Sequence, residues 1–309
     1  MQLRDSLVSL TAVHLLLTYK CDSECDHCFV WSSPDSPGTM SVKQIDKILK
    51  QSADIKTVKR IYFEGGEPFL FYPILVKGVE EARKQGFEVG IVSNAYWATD
   101  KEDSYRWLEP LARHEIADLS LSMDGHHGST ESRRRTRMAL LAAKDLTIPA
   151  SAISIRGVEF YSCQPQGSSS DGDLYFRGRA AVNLASKAKG KAWRTLDSCP
   201  EDPPNITRVH IDSYGNVQFC QGVSIGNVWR KPLRDVIEEL KVESHPIIGP
   251  LTRGGPCSLS KERGIKPKKK YADACHMCYE LRCSLRRRKK FSKTLTPDQA
   301  YGVGVKKAT

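Results

Sequence analysis

The sequence predicts an α/β protein, with a parallel sheet over the first two thirds of the chain and a small cysteine-rich module after it. Three observations carry this. Short apolar runs of β character alternate with helical stripes over residues 12–155. Parallel neighbours need crossovers of a dozen residues or more, and the segments between the runs have that length and a helical period. Beyond Lys191 the alternation lapses, and six of the ten cysteines gather there. The expected division is residues 1–190, residues 191–293 and a tail, 294–309. Repeated β–α units are compatible with an open sheet or with a barrel.

The elements follow in order. Ala12–Thr18 (AVHLLLT) is the first strand. Ser41 opens a helix with Val42, Ile45, Ile48 and Leu49 on one face, and Gln44 stands where a capping box needs it. Residues 58–63 form the second strand. Ile74, Leu75, Val79 and Ala82 make the next helical stripe, stopped at Gly86. Residues 87–93 form the third strand. Asp100 caps a helix carrying Trp107, Leu108 and Leu111, with Pro110 placed to kink it. Residues 116–122 are strand, 130–146 helix and 148–155 strand. Residues 166–173 (QGSSSDGD) read as a turn-rich loop, 173–178 as a sixth strand and 180–188 as helix. Arg208–Asp212 and residues 217–220 form a hairpin around Tyr214-Gly215-Asn216. Pro232 opens a helix that buries Leu233, Val236, Ile237 and Leu240. Beyond Pro250 no period is evident.

Composition excludes several classes. The 309 residues are 40% hydrophobic and 27% charged, which suits a globular chain with its own core. No apolar run approaches a membrane span, and no signal peptide precedes the first strand. Ten cysteines without a secretion signal point to a reducing, cytoplasmic setting and to metal binding over disulfides. The formal charge of +11 is local. Residues 253–293 hold 14 Lys/Arg and 3 Asp/Glu, and the remainder is neutral. Lys268–Lys270 and Arg286–Lys290 flank Cys275 and Cys283, so this charge faces either a metal site or solvent.

Cys21, Cys25 and Cys28 (CDSECDHC) follow the first strand directly. Three thiols within eight residues wrap one compact metal site. On a four-iron cluster they leave one iron open for a small ligand. A zinc site with His27 as fourth ligand, or buried free thiols, are the other readings of that spacing. Glu64-Gly65-Gly66-Glu67-Pro68 follows the second strand, and its glycines let a ligand approach the backbone.

With Cys21, Cys25 and Cys28, His27 before the last of them, and Gly65-Gly66-Glu67-Pro68, the sequence resembles the radical S-adenosylmethionine (SAM) enzymes. The resemblance implies a partial (β/α)6 TIM-type barrel with its site at the carboxyl ends of the strands. It implies a [4Fe–4S] cluster on the three cysteines, SAM on the fourth iron, and the glycine motif on the SAM amino group. Ser93-Asn94 and Ser122 with Asp124 end the third and fourth strands, where family members place polar SAM contacts. Strand-end turns account for these residue types equally well. One of Arg133, Arg134 and Arg135 is placed to reach the SAM carboxylate, and an exposed helix face accounts for the others. Gly178-Arg179-Ala180 resembles a short element found late in related barrels.

Residues 199–283 resemble the SPASM and twitch extensions, which hold auxiliary [4Fe–4S] clusters. The SPASM pattern has seven cysteines and continues CxxC–x5–C–x3–C. Here the gap after Cys278 is four residues and no cysteine follows Cys283. One auxiliary cluster is the favoured reading, on Cys199, Cys220, Cys275 and Cys278. Cys257, Cys275, Cys278 and Cys283 are a rival set, and two incompletely ligated clusters or a zinc ribbon remain open. Cys163 reads as a free thiol.

The activity implied is reductive cleavage of SAM to a 5′-deoxyadenosyl radical, which then abstracts hydrogen from a substrate. The implied reaction is oxidative modification or maturation of a peptide or protein. The implied electron donor is a flavodoxin or ferredoxin. No room is expected before the first strand for a leader-binding domain, so a separate partner would replace it. RNA modification, motivated by the basic segment, small-molecule dehydrogenation and a non-catalytic electron carrier are the alternatives. The glycine motif argues against the carrier, which has no use for SAM.

Overall fold

The computed structural model describes residues 9–123, 130–156 and 169–304. Six parallel strands stand in chain order: β1 (Ala12–Thr18), β2 (Arg60–Gly65), β3 (Glu88–Ser93), β4 (Asp118–Ser122), β5 (Ala150–Arg156) and β6 (Ser169–Asp173). Between the first five lie α1 (Val42–Ala53), α2 (Tyr72–Lys84), α3 (Lys101–Ala112) and α4 (Thr130–Asp145). This is the α/β parallel-strand fold expected.

The capping box at Ser41 forms: its hydroxyl accepts from Gln44 N, and the Gln44 side chain accepts from Ser41 N. Ile45, Ile48 and Leu49 are buried as expected, while Val42 stays exposed. They pack with Val13, Leu15 and Leu17 of β1 and Val79 of α2 in one core. The alternate β1 residues, His14, Leu16 and Thr18, therefore point to the opposite face of the sheet. The third helix runs through Pro110 and ends two residues later.

The sixth strand is displaced from expectation. It is Ser169–Asp173, in the segment read as a loop, and residues 174–177 are not strand. The run SSDGD has no β propensity. Its parallel register with β5, Ala152 opposite Ser169 through Arg156 opposite Asp173, comes from the neighbour rather than from local sequence. Next come α5 (Arg179–Asn183) and the short strand β7 (Lys191–Ala192).

The sheet also extends past β1. There β8 (Arg208–Asp212) pairs in parallel with β1, His210 opposite His14. Antiparallel β9 (Asn216–Cys220) and β10 (Val223–Asn227) complete nine strands in one sheet. Asp212 closes the β8–β9 turn by accepting from Tyr214 N at 3.0 Å and Asn216 N at 2.9 Å. It also receives the Tyr19 hydroxyl at 3.1 Å, just after β1. Burial lifts its carboxyl to about 6.

Helix α6 (Leu233–Glu238) buries Leu233, Val236 and Ile237 behind Pro232. The segment beyond Pro250, expected to lack period, holds most of α7 (Ile248–Arg263) and all of α8 (Ala274–Arg286). Helix α7 breaks at Gly254 and Gly255, which takes φ +53°, and this hides its stripe. Helix α8 is capped by Asp273 and carries Cys275, Cys278 and Cys283 in place of ordinary apolar residues. Between them β11 (Lys270–Tyr271) pairs with β7.

Candidate functional site

The loop after β1 carries Cys21, Cys25 and Cys28, at the carboxyl ends of the parallel strands. Cys21 is 7% exposed and Cys25 and Cys28 are partly exposed. The loop is folded on itself by Cys21 N donating to Ser33 O and Cys28 N to Cys25 O, both at 3.1 Å. Ser32 N donates to Cys28 Sγ at 3.3 Å. His27 is buried within it.

The glycines of the second motif have a reason beyond ligand access. Gly66 N donates to Thr18 O at 2.7 Å and Glu67 N to Lys20 O at 2.9 Å. A Cβ on Gly66 would lie 2.6 Å from the Lys20 carbonyl carbon and 2.9 Å from Tyr19 O. Gly65 takes φ +139°. The backbone they admit is the chain's own, at the approach to Cys21.

Glu67 is fully buried and its oxygens are already engaged. Oε1 accepts from Phe69 N at 3.0 Å and Ser93 Oγ at 2.9 Å, and Oε2 accepts from Asn94 N at 2.7 Å. Burial pushes its carboxyl up to about 8. Pro68 is buried at the start of the short turn that Glu67 caps. Ser93 is buried too, its hydroxyl accepting from Ala95 N and Trp97 Nε1. Asn94 reaches the cysteine loop: its amide donates to Asp22 Oδ1 at 2.7 Å and to Cys21 Sγ at 3.7 Å. Ser122 ends β4, where its carbonyl accepts from Thr136 Oγ1. Asp124 and Cys163 lie outside the described residues. Arg134 pairs with Glu131, and Arg135 also donates to Tyr96 O at 3.1 Å.

The residues 178–180 element proves to be the clasp of this loop. Arg179 is 5% exposed and donates to Cys25 O at 2.9 Å and Ser32 O at 2.7 Å, while its N–H donates to Cys28 O at 2.8 Å. Gly178 takes φ +60°, and a Cβ there would lie 2.5 Å from Phe29 O and 2.6 Å from Cys28 O.

The second cysteine group converges. Cys199, Cys220, Cys275 and Cys278 line one narrow cavity with Arg177, Glu201 and Arg282. Burial raises the thiols of Cys199, Cys275 and Cys278, Cys199 to about 12 with its neighbouring thiols adding to this, while Arg177 pulls against the rise at Cys275 and Arg282 at Cys278. Arg177 Nη1 donates to Cys220 Sγ at 3.2 Å and to Glu201 Oε1 at 2.5 Å. Arg282 is 2% exposed and donates to Gln221 O, and its buried Nε has no hydrogen-bond partner among the described residues. Two buried guanidiniums beside four thiols suit an anionic guest that keeps the sulfurs deprotonated. Cys257 and Cys283 do not line this cavity. Cys257 faces Trp193 O at 2.8 Å.

Sequence reasoning missed Arg177 and Arg282, which no spacing marks. It also missed His14, Glu64 and His210, which strand pairing gathers from three distant places.

Part of the basic segment is committed internally, while Lys266, Lys269, Lys270 and Arg287 to Lys290 are exposed. Arg253 pairs with Glu262, Lys268 with Glu280 and Arg286 with Asp298, while Arg282 is buried. No helix among the described residues is long and apolar enough to cross a membrane.

Residues 15–145 match the model of the Radical SAM superfamily. The chain is similar to the putative peptide biosynthesis protein YydG of Bacillus subtilis (strain 168), 30% identical over 115 residues, 37% of this chain and 36% of that protein. It is similar to the tungsten-containing aldehyde ferredoxin oxidoreductase cofactor-modifying protein of Pyrococcus furiosus, 33% identical over 113 residues, 36% of this chain and 30% of that protein. The matched stretch thus spans about a third of these relatives. Two solved structures share the fold at TM-score 0.51, each over 74% of this chain. One is BtrN in complex with AdoMet and 2-DOIA (17% identity, 82% of that chain), and the other is Streptococcus suis SuiB bound to S-adenosylmethionine (14%, 65%). Residues 15–145, less than half of the chain, thus match the Radical SAM superfamily that the two motifs resemble.

Proposed function

We propose that the chain reductively cleaves SAM and uses the product radical to modify a peptide or protein oxidatively. The observation that supports this most is the clasped loop: three cysteines at the carboxyl ends of the strands, held by Arg179 behind and Asn94 beside. Cys21, Cys25 and Cys28 are the residues that would hold a [4Fe–4S] cluster, which when bound supplies the electron for SAM cleavage. The chain's own contribution is position. Arg179 fixes the carbonyls of Cys25 and Ser32, so the loop keeps its shape. The Asn94 amide, donating toward Cys21 Sγ, favours the thiolate. Glu67 acts through what it ties, joining the end of β2 to Ser93 and Asn94 at the end of β3.

Cys199, Cys220, Cys275 and Cys278 are the set proposed for one auxiliary cluster, with Arg177 and Arg282 offsetting its charge. The division near residue 190 is then one of task, since β8 continues the sheet of β1. The segment 177–179 joins the two sites: Arg177 faces Cys220, and two residues later Arg179 holds the Cys25 loop.

The peptide class draws support from the name of the B. subtilis relative. The test is anaerobic incubation with SAM, reductant and the short peptide encoded nearest the gene. Peptide-dependent 5′-deoxyadenosine together with a mass change in the peptide supports the assignment. SAM cleavage with every such peptide unchanged overturns the substrate class.

A further inference from the structure

Three potential ligands meet on the sheet face away from α1 and α2, beneath the cysteine loop. His14 comes from β1, Glu64 from β2 and His210 from β8, three adjacent parallel strands. His14 is directly opposite His210 in register, and Glu64 is opposite Leu16, two residues further along β1. The ring and carboxylate atoms all lie within 4.8 Å of one another. His14 Nδ1 is 3.1 Å from Glu64 Oε2, and His210 Nε2 is 3.3 Å from Glu64 Oε1.

Hydrogen bonding alone leaves this group unsatisfied. Nε2 of His210 faces both Glu64 Oε1 and the Gln221 side-chain nitrogen, each at 3.3 Å. One ring nitrogen cannot accept from the amide and donate to the carboxylate together. Glu64 Oε1 and His210 Nδ1 are buried with no hydrogen-bond partner among the described residues. Glu64 is 13% exposed at its side chain and His210 7%. Burial opposes the Glu64 charge, yet the histidines beside it hold the carboxyl down at about 2. Burial holds His210 neutral, down to about 4. A neutral imidazole and an ionised carboxylate are the forms that bind metal.

The ligands are also braced. The His14 ring stacks on Tyr62 at 4.6 Å, and Tyr62 lies where a Cβ on Gly90 would come within 2.5 Å of its ring. Arg208, the nearby cation, is engaged by Glu201 at 2.9 Å. Two imidazoles and one carboxylate on a rigid wall form the donor set of a divalent first-row metal with open positions. Donor atoms about 2.1 Å from one ion lie roughly 3–4 Å apart, so the pairs at 3.1 and 3.3 Å already fit and the widest pair must close by about 1 Å.

We propose that His14, Glu64 and His210 bind one Mn2+- or Fe2+-class divalent ion through Nδ1, the carboxylate and Nε2, apart from any iron–sulfur cluster. The probe is Mn2+ added to the anaerobic protein with its clusters oxidised and diamagnetic, followed by loss of the free six-line resonance. About one Mn2+ per chain is expected to bind, with nitrogen-14 modulation from coordinated imidazole. Glu64→Gln and His14→Asn are each expected to weaken binding at least about tenfold, with iron content and Tm without Mn2+ retained. Equal Mn2+ affinity in wild type and both variants overturns the proposal, as does no binding at millimolar Mn2+. Bound Mn2+ without nitrogen modulation in the wild-type protein overturns it too, whatever the variants do.

Discussion

Replacing Gly66 with alanine should disable the cysteine loop from outside it. The new methyl would meet the Lys20 carbonyl carbon at 2.6 Å and Tyr19 O at 2.9 Å. Ordinary contact needs about 3.5 Å, so the backbone before Cys21 must retreat by roughly 1 Å. Overpacking of that kind costs about 1–3 kcal/mol, and loss of the Glu67 N to Lys20 O hydrogen bond adds about 1 kcal/mol. The expected total of about 2–4 kcal/mol lowers Tm by roughly 5–10 °C. Gly86→Ala is the control. Its φ is +85° with nothing within 4 Å, so it costs only about 1 kcal/mol of backbone strain. The assays are thermal melting, iron content and 5′-deoxyadenosine formation. A displacement of about 1 Å at Cys21 should cut the last on the order of 100-fold. If Gly66→Ala melts with Gly86→Ala and keeps full iron and activity, the close approach of the two motifs does not matter as argued.

Other outcomes follow from the same geometry. Serine at Cys199, Cys220, Cys275 or Cys278 should lower iron from about eight to about four per chain, whereas Cys257→Ala and Cys283→Ala should leave it unchanged. Arg177→Ala should shift the auxiliary potential negative on the order of tens of millivolts, with Arg177→Lys between, read by redox titration. His245 Nδ1 accepts from Ile247 N and Ile248 N at the start of α7, and burial holds it down to about 4. The unfolded chain takes up that proton first, so the stability is present above pH 6.5 and lost on falling through pH 4. It amounts to about 2 kcal/mol lost by pH 5. His245→Asn keeps a capping acceptor and should flatten the fall in Tm between pH 7.5 and pH 5.

The apolar strands were legible because each is a local run: AVHLLLT declares β1 without help from its neighbours. The sixth strand was not, since SSDGD becomes strand only by pairing with β5. The two late helices were hidden for different reasons. Gly254, Gly255 and Pro256 interrupt α7, and α8 mixes thiols and Arg282 with Met277, Leu281 and Leu285 on its buried side. Cys21, Cys25 and Cys28 could be read from spacing because one loop holds them. The convergence of Cys199 and Cys220 with Cys275 and Cys278 depends on where β9 and α8 pack. His14, Glu64 and His210 left one local trace, a polar residue amid β-forming neighbours in each of three strands. Only the parallel pairing of β8 with β1 turns those traces into a cluster.

The most direct measurement is SAM turnover by the anaerobically reconstituted, reduced protein, with Cys25→Ser beside it. Wild type is expected to release 5′-deoxyadenosine and methionine, and Cys25→Ser to release neither while keeping the iron of the second cysteine group. A wild-type protein carrying intact reduced clusters that leaves SAM uncleaved would contradict the account.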